Sequence, residues 1–135
     1  MNIHLTFTES FRYPDDAGGI TIPTILSRGA YEVRVHAKVD IGAEVCLFRN
    51  ELGRDLGLIV EQGTPKVLHT LTGPLEAFGH FIVLQTGALI FESLVYFAKY
   101  PNLPRNLLGR EGWLRKCQMA VRDNDNLLYL GVSDV

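Results

Sequence analysis

Asp40 is the side chain in this sequence whose setting best suits chemistry. Val39-Asp40-Ile41-Gly42-Ala43 runs an apolar strand straight into a carboxylate and a tight glycine turn. That order presents Asp40 at the end of a rigid element, where a carboxylate can act as general base or acid. Gly42 would let the backbone come close to whatever the carboxylate acts on. Alone the pattern is weak, because an aspartate before glycine is usually a turn residue. Far downstream, Asn106-Leu107-Leu108-Gly109-Arg110 places two apolar residues and a glycine before a short helical stretch through Lys116. Between the two segments, Thr72-Gly73-Pro74 and Leu75 read as the tip of a hairpin.

The elements that must position these residues are short. Tyr31–Val39 alternates strictly between apolar and polar side chains, the pattern of a half-buried strand leading into Asp40. Ile20–Ser27 reads as its partner, joined through Arg28-Gly29. After the motif the period changes, and Asn50–Gly57 predicts a short helix with Asn50 as its cap and Gly57 as its stop. Glu61–Pro65 reads as a loop, and Val67–Leu71 and Phe78–Leu84 as the arms of the hairpin. Ala88–Phe91 and Leu94–Ala98 are two further apolar strands, and two prolines make Lys99–Arg105 a loop. Gln118–Val121 and Leu127–Leu130 form a closing hairpin around Asp123–Asn126. So many short strands between turn signals predict an all-β protein, a sandwich or small barrel.

Length and composition bound the function. A chain of 135 residues is expected to form a single domain over residues 1–135 with a modest core. Apolar residues make up 47% and charged residues 21%, as in a water-soluble domain. The formal net charge of -2 offers no basic footprint for nucleic acid. The longest apolar runs, such as Leu94–Ala98, are far too short to span a bilayer, so no membrane partner is expected. No basic start followed by an apolar core marks a signal peptide. With two widely spaced cysteines, this predicts a cytoplasmic protein with free thiols. Cys46 lies in an apolar run and reads as a small core residue, as does Cys117. His4, His36, His69 and His80 lack metal-ligand spacing, and Asp123–Asn126 lacks the twelve-residue calcium pattern. No metal or organic cofactor is expected. Met1–Gly19 shows no clear period and reads as an N-terminal arm or an interface strand.

From about Ile20 to Leu130 the order of motifs resembles the retropepsin-like aspartic proteases, single-domain enzymes that work as homodimers. Val39–Ala43 matches the family's apolar-Asp-Thr/Ser-Gly-Ala motif at every position but Ile41. Asn106–Arg110 matches its apolar-apolar-Gly-Arg segment before a C-terminal helix. The helix after the active loop and the closing hairpin are similar to the bacterial branch. The resemblance implies a small closed barrel with a flap hairpin, one short helix after the active loop and one short C-terminal helix. It implies a peptide or protein substrate, with Asp40 as the catalytic residue. Two carboxylates held close cannot both ionise, so the pair shares a proton; one activates water and the other polarises the scissile carbonyl. Because the chain carries one such motif, the second Asp40 would come from a second copy across a two-fold axis. Gly42 and Ala43 would shape the cleft floor, and Thr72–Leu75 would close over the peptide. Glu44 and Arg110 would pair and tie the active loop to the C-terminal segment, with Leu107, Leu108 and Gly109 beneath it. Alanine after the glycine implies an optimum nearer neutral pH than that of pepsin-like enzymes.

Ile41 departs from the family. The usual hydroxyl hydrogen-bonds across the dimer axis, and isoleucine can neither donate nor accept. Each buried group left unpaired costs about 1–3 kcal/mol, and a symmetric dimer bears that cost twice. A domain of the same fold that dimerises or binds extended peptides without cutting them is therefore the alternative reading. An unrelated small β-barrel carrying the motif by chance is a third.

Overall fold

The computed structural model describes residues 1–132; residues 133–135, the end of the expected single domain, lie outside the described residues. The strands are β1 (Glu9–Arg12), β2 (Thr21–Arg28), β3 (Tyr31–Val39), β4 (Leu47–Phe48) and β5 (Thr64–Thr70). They continue with β6 (Gly73–Thr86), β7 (Leu89–Ala98), β8 (Leu107–Leu108), β9 (Cys117–Arg122) and β10 (Leu127–Val132). Helix α1 covers Asn50–Asp55.

Seven strands form one sheet in the order β2-β3-β8-β4-β7-β6-β5. Strand β6 is long enough to use one edge twice. It pairs with β5 from Gly73 to Gly79, and Val83–Gln85 then pairs with Ile25–Ser27 of β2. The β2–β6 pairing closes the sheet into a small barrel, which leaves fewer free edges. Ile22, Leu26, Leu84, Phe97, Leu108 and Trp113 are fully buried inside it. A separate three-stranded sheet, β1-β10-β9, stands beside the barrel. Glu9 joins the two, because its carboxylate accepts the Ala88 N–H in the turn between β6 and β7.

Several elements differ from the sequence reading for local reasons. Ala88–Phe91 and Leu94–Ala98 are one strand, since Ser93 continues the inward alternation and donates its hydroxyl to Gly112 O at 2.6 Å. Strand β5 starts inside the expected loop at Thr64; Pro65 is tolerated because β5 is an edge strand. Asn50 is not the helix cap. Arg49 holds that position without a side-chain bond, while the buried Asn50 Nδ2 donates to Ala98 O and Lys99 O at 2.9 and 3.1 Å. The expected C-terminal helix is a single 3-10 turn, Leu114–Lys116. Gly112 sits at φ 97°, and Trp113 turns inward to donate Nε1–H to the buried Thr86 hydroxyl. Cys117 is already extended, which leaves room for one turn only. Within Met1–Gly19, Glu9–Arg12 pairs antiparallel with β10 of the same chain.

Candidate active site

Two segments distant in sequence build the loop that carries Asp40. β8 lies parallel to the end of β3, pairing Lys38 with Leu107 and Val39 with Leu108, and β4 flanks its other side. Asp40 N–H donates to Leu108 O at 3.0 Å, so the motif aspartate starts where this ladder ends. The chain then turns back sharply: Ala43 N–H donates to Asp40 O at 3.1 Å, and Gly42 N–H donates to Asp40 Oδ1 at 3.0 Å. The amide fixes the direction of the carboxylate, which stays half-buried. A carboxylate so held can take a proton from water or return one.

The downstream segment clamps the loop. Arg110 N–H donates to Ala43 O and Glu111 N–H to Glu44 O, each at 2.9 Å, and Val45 bridges to Glu111 in parallel. Gly109 lies so close to this backbone that a Cβ there would meet Val45 O at 2.1 Å and Ala43 O at 2.9 Å. No side chain fits between the two segments. Gly109 N–H also donates to Cys46 Sγ. Burial pushes the Cys46 thiol up to about 12, so at neutral pH it stays protonated and serves as a packed core group. Burial likewise raises Cys117 to about 11.

The expected Glu44–Arg110 ion pair is not formed. Glu44 Oε1 pairs instead with Lys66 Nζ of β5 at 3.2 Å. The parallel register has already joined the two segments through their amides, and Lys66 reaches the outward-facing carboxylate from the neighbouring hairpin. Exposed as it is, this pair is worth about 0–1 kcal/mol. Loop and C-terminal segment are thus joined by backbone rather than by charge.

The hairpin β5–β6 stands over a groove of about 580 Å³. Its tip falls one residue earlier than the sequence reading places it. Thr70 pairs with Gly73, so Leu71 and Thr72 form the turn, and Gly73 and Pro74 already belong to β6. Gly73 takes φ 117°, a conformation open to glycine and costly for other residues. Thr70 Oγ1 accepts the Thr72 N–H and donates to Gly73 O at 2.7 Å, bracing the turn. Leu71 is fully exposed at the tip. Val67, Pro74 and Leu75 form one wall of the groove, and the Tyr100–Pro104 loop forms the other. Beneath lies a small apolar cluster of Leu47, Ala77 and Ala98 with Leu107 packed against it.

Thr72, Pro74 and Leu75 therefore line the groove as the sequence reading has them, while Gly73 does not. Asp40, Ile41, Gly42 and Ala43 are not among the groove's lining residues in one chain. Strand β8 links them to its floor, since Leu107 packs against that apolar cluster and Leu108 pairs with Val39 just before Asp40. Sequence reasoning missed the second wall, seen only as a proline-containing loop, and missed Leu71. Asn102 at φ 85° marks that wall as tightly bent, and asparagine is among the few residues that accept this.

No protein-family model matches the chain, and no curated protein matches it. Solved structures do. A crystal structure of a retropepsin-like aspartic protease from Rickettsia conorii superposes with a TM-score of 0.69 at 17% identity, covering 90% of this chain and 98% of that one. The retroviral protease-like domain of Ddi1 from Leishmania major gives 0.59 at 18% identity, covering 87% of this chain and 90% of that one. The EIAV protease complexed with the inhibitor HBY-793 gives 0.55 at 14% identity, over 73% of this chain and 88% of that one. At these identities the likeness speaks for the fold: this all-β chain has the retropepsin-like fold.

Proposed function

We propose that this chain is an aspartic endopeptidase that works as a homodimer on extended peptides. One observation carries the reading. The Asp40 carboxylate, held by Gly42 N–H, stands on a loop clamped by Gly109, beside a groove under a braced hairpin. One chain offers one such carboxylate. A second copy related by a two-fold axis would bring a second Asp40 against the first and complete the cleft. The two carboxyls would share one proton, because like charges so close cannot both ionise. The ionised member would take a proton from the attacking water, and the protonated one would donate to the scissile carbonyl oxygen. Ile41, 61% exposed in one chain, and the exposed Met1, Ile3 and Leu5 supply apolar surface for a second copy to cover. The hairpin would close over the peptide and exclude water. Two free, buried cysteines suit a reducing compartment, and the cytosol is the proposed location. No helix among the described residues is long and apolar enough to cross a membrane.

Ile41 favours a second reading, in which the same domain dimerises or binds peptides without cutting them. Cleavage of a peptide library from acid to neutral pH separates the two. The native chain should cut, Asp40→Asn should cut nothing while keeping its fold, and Ile41→Thr should cut faster. Absence of cleavage by both the native chain and Ile41→Thr across that pH range would sink the enzyme reading.

A further inference from the structure

A second hollow, of about 140 Å³, lies on the far side of Pro104 from the groove and shares that residue with it. Four basic side chains line it: His36 and Lys38 from β3, Arg49 before α1, and Arg105 after the groove wall. Among the described residues no carboxylate lines it, and the carboxylate of Asp16 lies nearby, its Oδ1 accepting the N–H of the lining Gly18 at 2.7 Å. Among the described residues the ion pairs involve Arg34, Lys66, Lys99, Arg115 and Arg122, and none involves these four.

The two arginines are fixed in place without being neutralised. Arg49 Nη2 donates to Pro104 O at 3.0 Å. Arg105 donates to Gly18 O at 3.1 Å and Ala17 O at 3.3 Å. Carbonyl oxygens orient a guanidinium and leave its full charge and remaining N–H donors unused. Asn106 sets the backbone between them, its Oδ1 accepting Arg49 N–H at 3.0 Å. Lys38, Arg49 and Arg105 have no ion-pair partner among the described residues, and a bound anion relieves the repulsion between them through charge-assisted hydrogen bonds. Lys38 stands two residues before Asp40, on the strand that delivers the active loop. Alternate residues of an extended peptide face the same side at about 3.3 Å per residue. A peptide lying in the groove can therefore turn a side chain over Pro104 toward this hollow.

We propose that the hollow bounded by Lys38, Arg49 and Arg105 binds an anionic side chain, carboxylate or phosphate, of the peptide held in the neighbouring groove. The proposal rests on the peptide-binding reading above and adds a charge requirement to it. The hollow selects acidic or phosphorylated peptides over neutral ones.

The test is an amide NMR titration of the full chain with three blocked tripeptides that differ only in the central residue: glutamate, phosphoserine or glutamine. Glutamate and phosphoserine should shift the resonances of Gly18, Lys38, Arg49 and Asn106, with midpoints about tenfold below that of glutamine, a difference of about 1.4 kcal/mol. The lower of the two midpoints identifies the preferred anion. Lys38→Gln leaves every hydrogen bond described above in place and should erase most of the difference, as should raising the salt. Equal midpoints for glutamate, phosphoserine and glutamine overturn the proposal. So do shifts spread over exposed cations elsewhere, such as Arg34 and Arg115, which would mean counter-ion screening only. Inorganic phosphate binding without either charged peptide would overturn the peptide assignment. The readout needs neither cleavage nor a dimer. A chain that binds acidic peptides but cuts nothing loses the enzyme reading and keeps this one. A chain that cuts without acidic preference keeps the enzyme reading and loses this one.

Discussion

Replacing Gly109 with alanine tests the link between the downstream motif and the Asp40 loop. A Cβ at this position would lie 2.1 Å from Val45 O, 2.6 Å from Val45 C and 2.9 Å from Ala43 O. All three atoms are backbone, so no rotamer change relieves the clash. Real Cβ contacts stay beyond 3.0 Å, which forces the Ala43–Val45 segment outward by nearly 1 Å. Overpacking of this kind costs about 1–3 kcal/mol. The same displacement stretches the Arg110–Ala43 and Glu111–Glu44 hydrogen bonds, each worth about 0.5–1.5 kcal/mol. The expected loss is about 2–6 kcal/mol, or a fall in melting temperature of roughly 6–24 °C for a domain of this size. Gly42→Ala is the control, because its Cβ would meet only the Asp40 Oδ1 atom at 3.3 Å. It should change stability by less than about 1 kcal/mol. Urea unfolding followed by Trp113 fluorescence measures both, since the indole is fully buried in the native state. A Gly109→Ala midpoint matching that of the native chain, with the slope unchanged, would refute the clamp.

The remaining expectations concern the groove wall and alkaline pH. Asn50→Ala removes both side-chain bonds that hold the end of β7, and should cost about 2–4 kcal/mol in urea unfolding. It should also speed amide exchange through Lys99–Arg105, where a structureless loop would show no change. Burial, and then the hydrogen bond to Asp123, raise Tyr13 to about 12, while burial raises Cys46 to about 12 and Cys117 to about 11. Free thiols and phenols ionise near 9.0 and 10.0, so this stability is complete below pH 9 and lost as the pH rises toward 12. Denaturation at stepped pH should show that decline, and Tyr13→Phe should flatten the part above pH 10.

The strands were legible in the sequence wherever one face meets the core and the other meets water. Tyr31–Val39 is such a case, and its boundaries agree with the structure. Asp40 and Leu107–Gly109 were legible as a pair of motifs, because the close backbone approach at Gly109 demands glycine and a buried ladder demands apolar neighbours. Long-range geometry was not. Asn50 looks like a cap in a local window, and only the fold brings Ala98 and Lys99 to its amide. Glu44 and Arg110 look like partners until β5 places Lys66 nearer. The basic hollow draws on β3, Arg49 and Arg105, three segments that no periodicity connects.

Ile41 gains a physical scale from its exposure. In the proposed dimer, isoleucine in place of a hydroxyl would cost about 1–3 kcal/mol per copy where the loops of the two chains meet. The isoleucine is 61% exposed in one chain, and covering it in a dimer returns part of that cost. Full burial of such a side chain is worth about 1.5–3 kcal/mol, and threonine would recover some of this through its methyl, so the apolar advantage is about 1 kcal/mol per copy. Summed over two copies, the balance would favour threonine by about 2 kcal/mol, about thirtyfold in dimer affinity. Isoleucine at this position would therefore weaken the proposed dimer without forbidding it. Sedimentation of the native chain and of Ile41→Thr across a dilution series reads that difference directly. A native dimer equal to or tighter than Ile41→Thr would mean that apolar burial outweighs the lost hydroxyl, and that Ile41 is no defect in this fold.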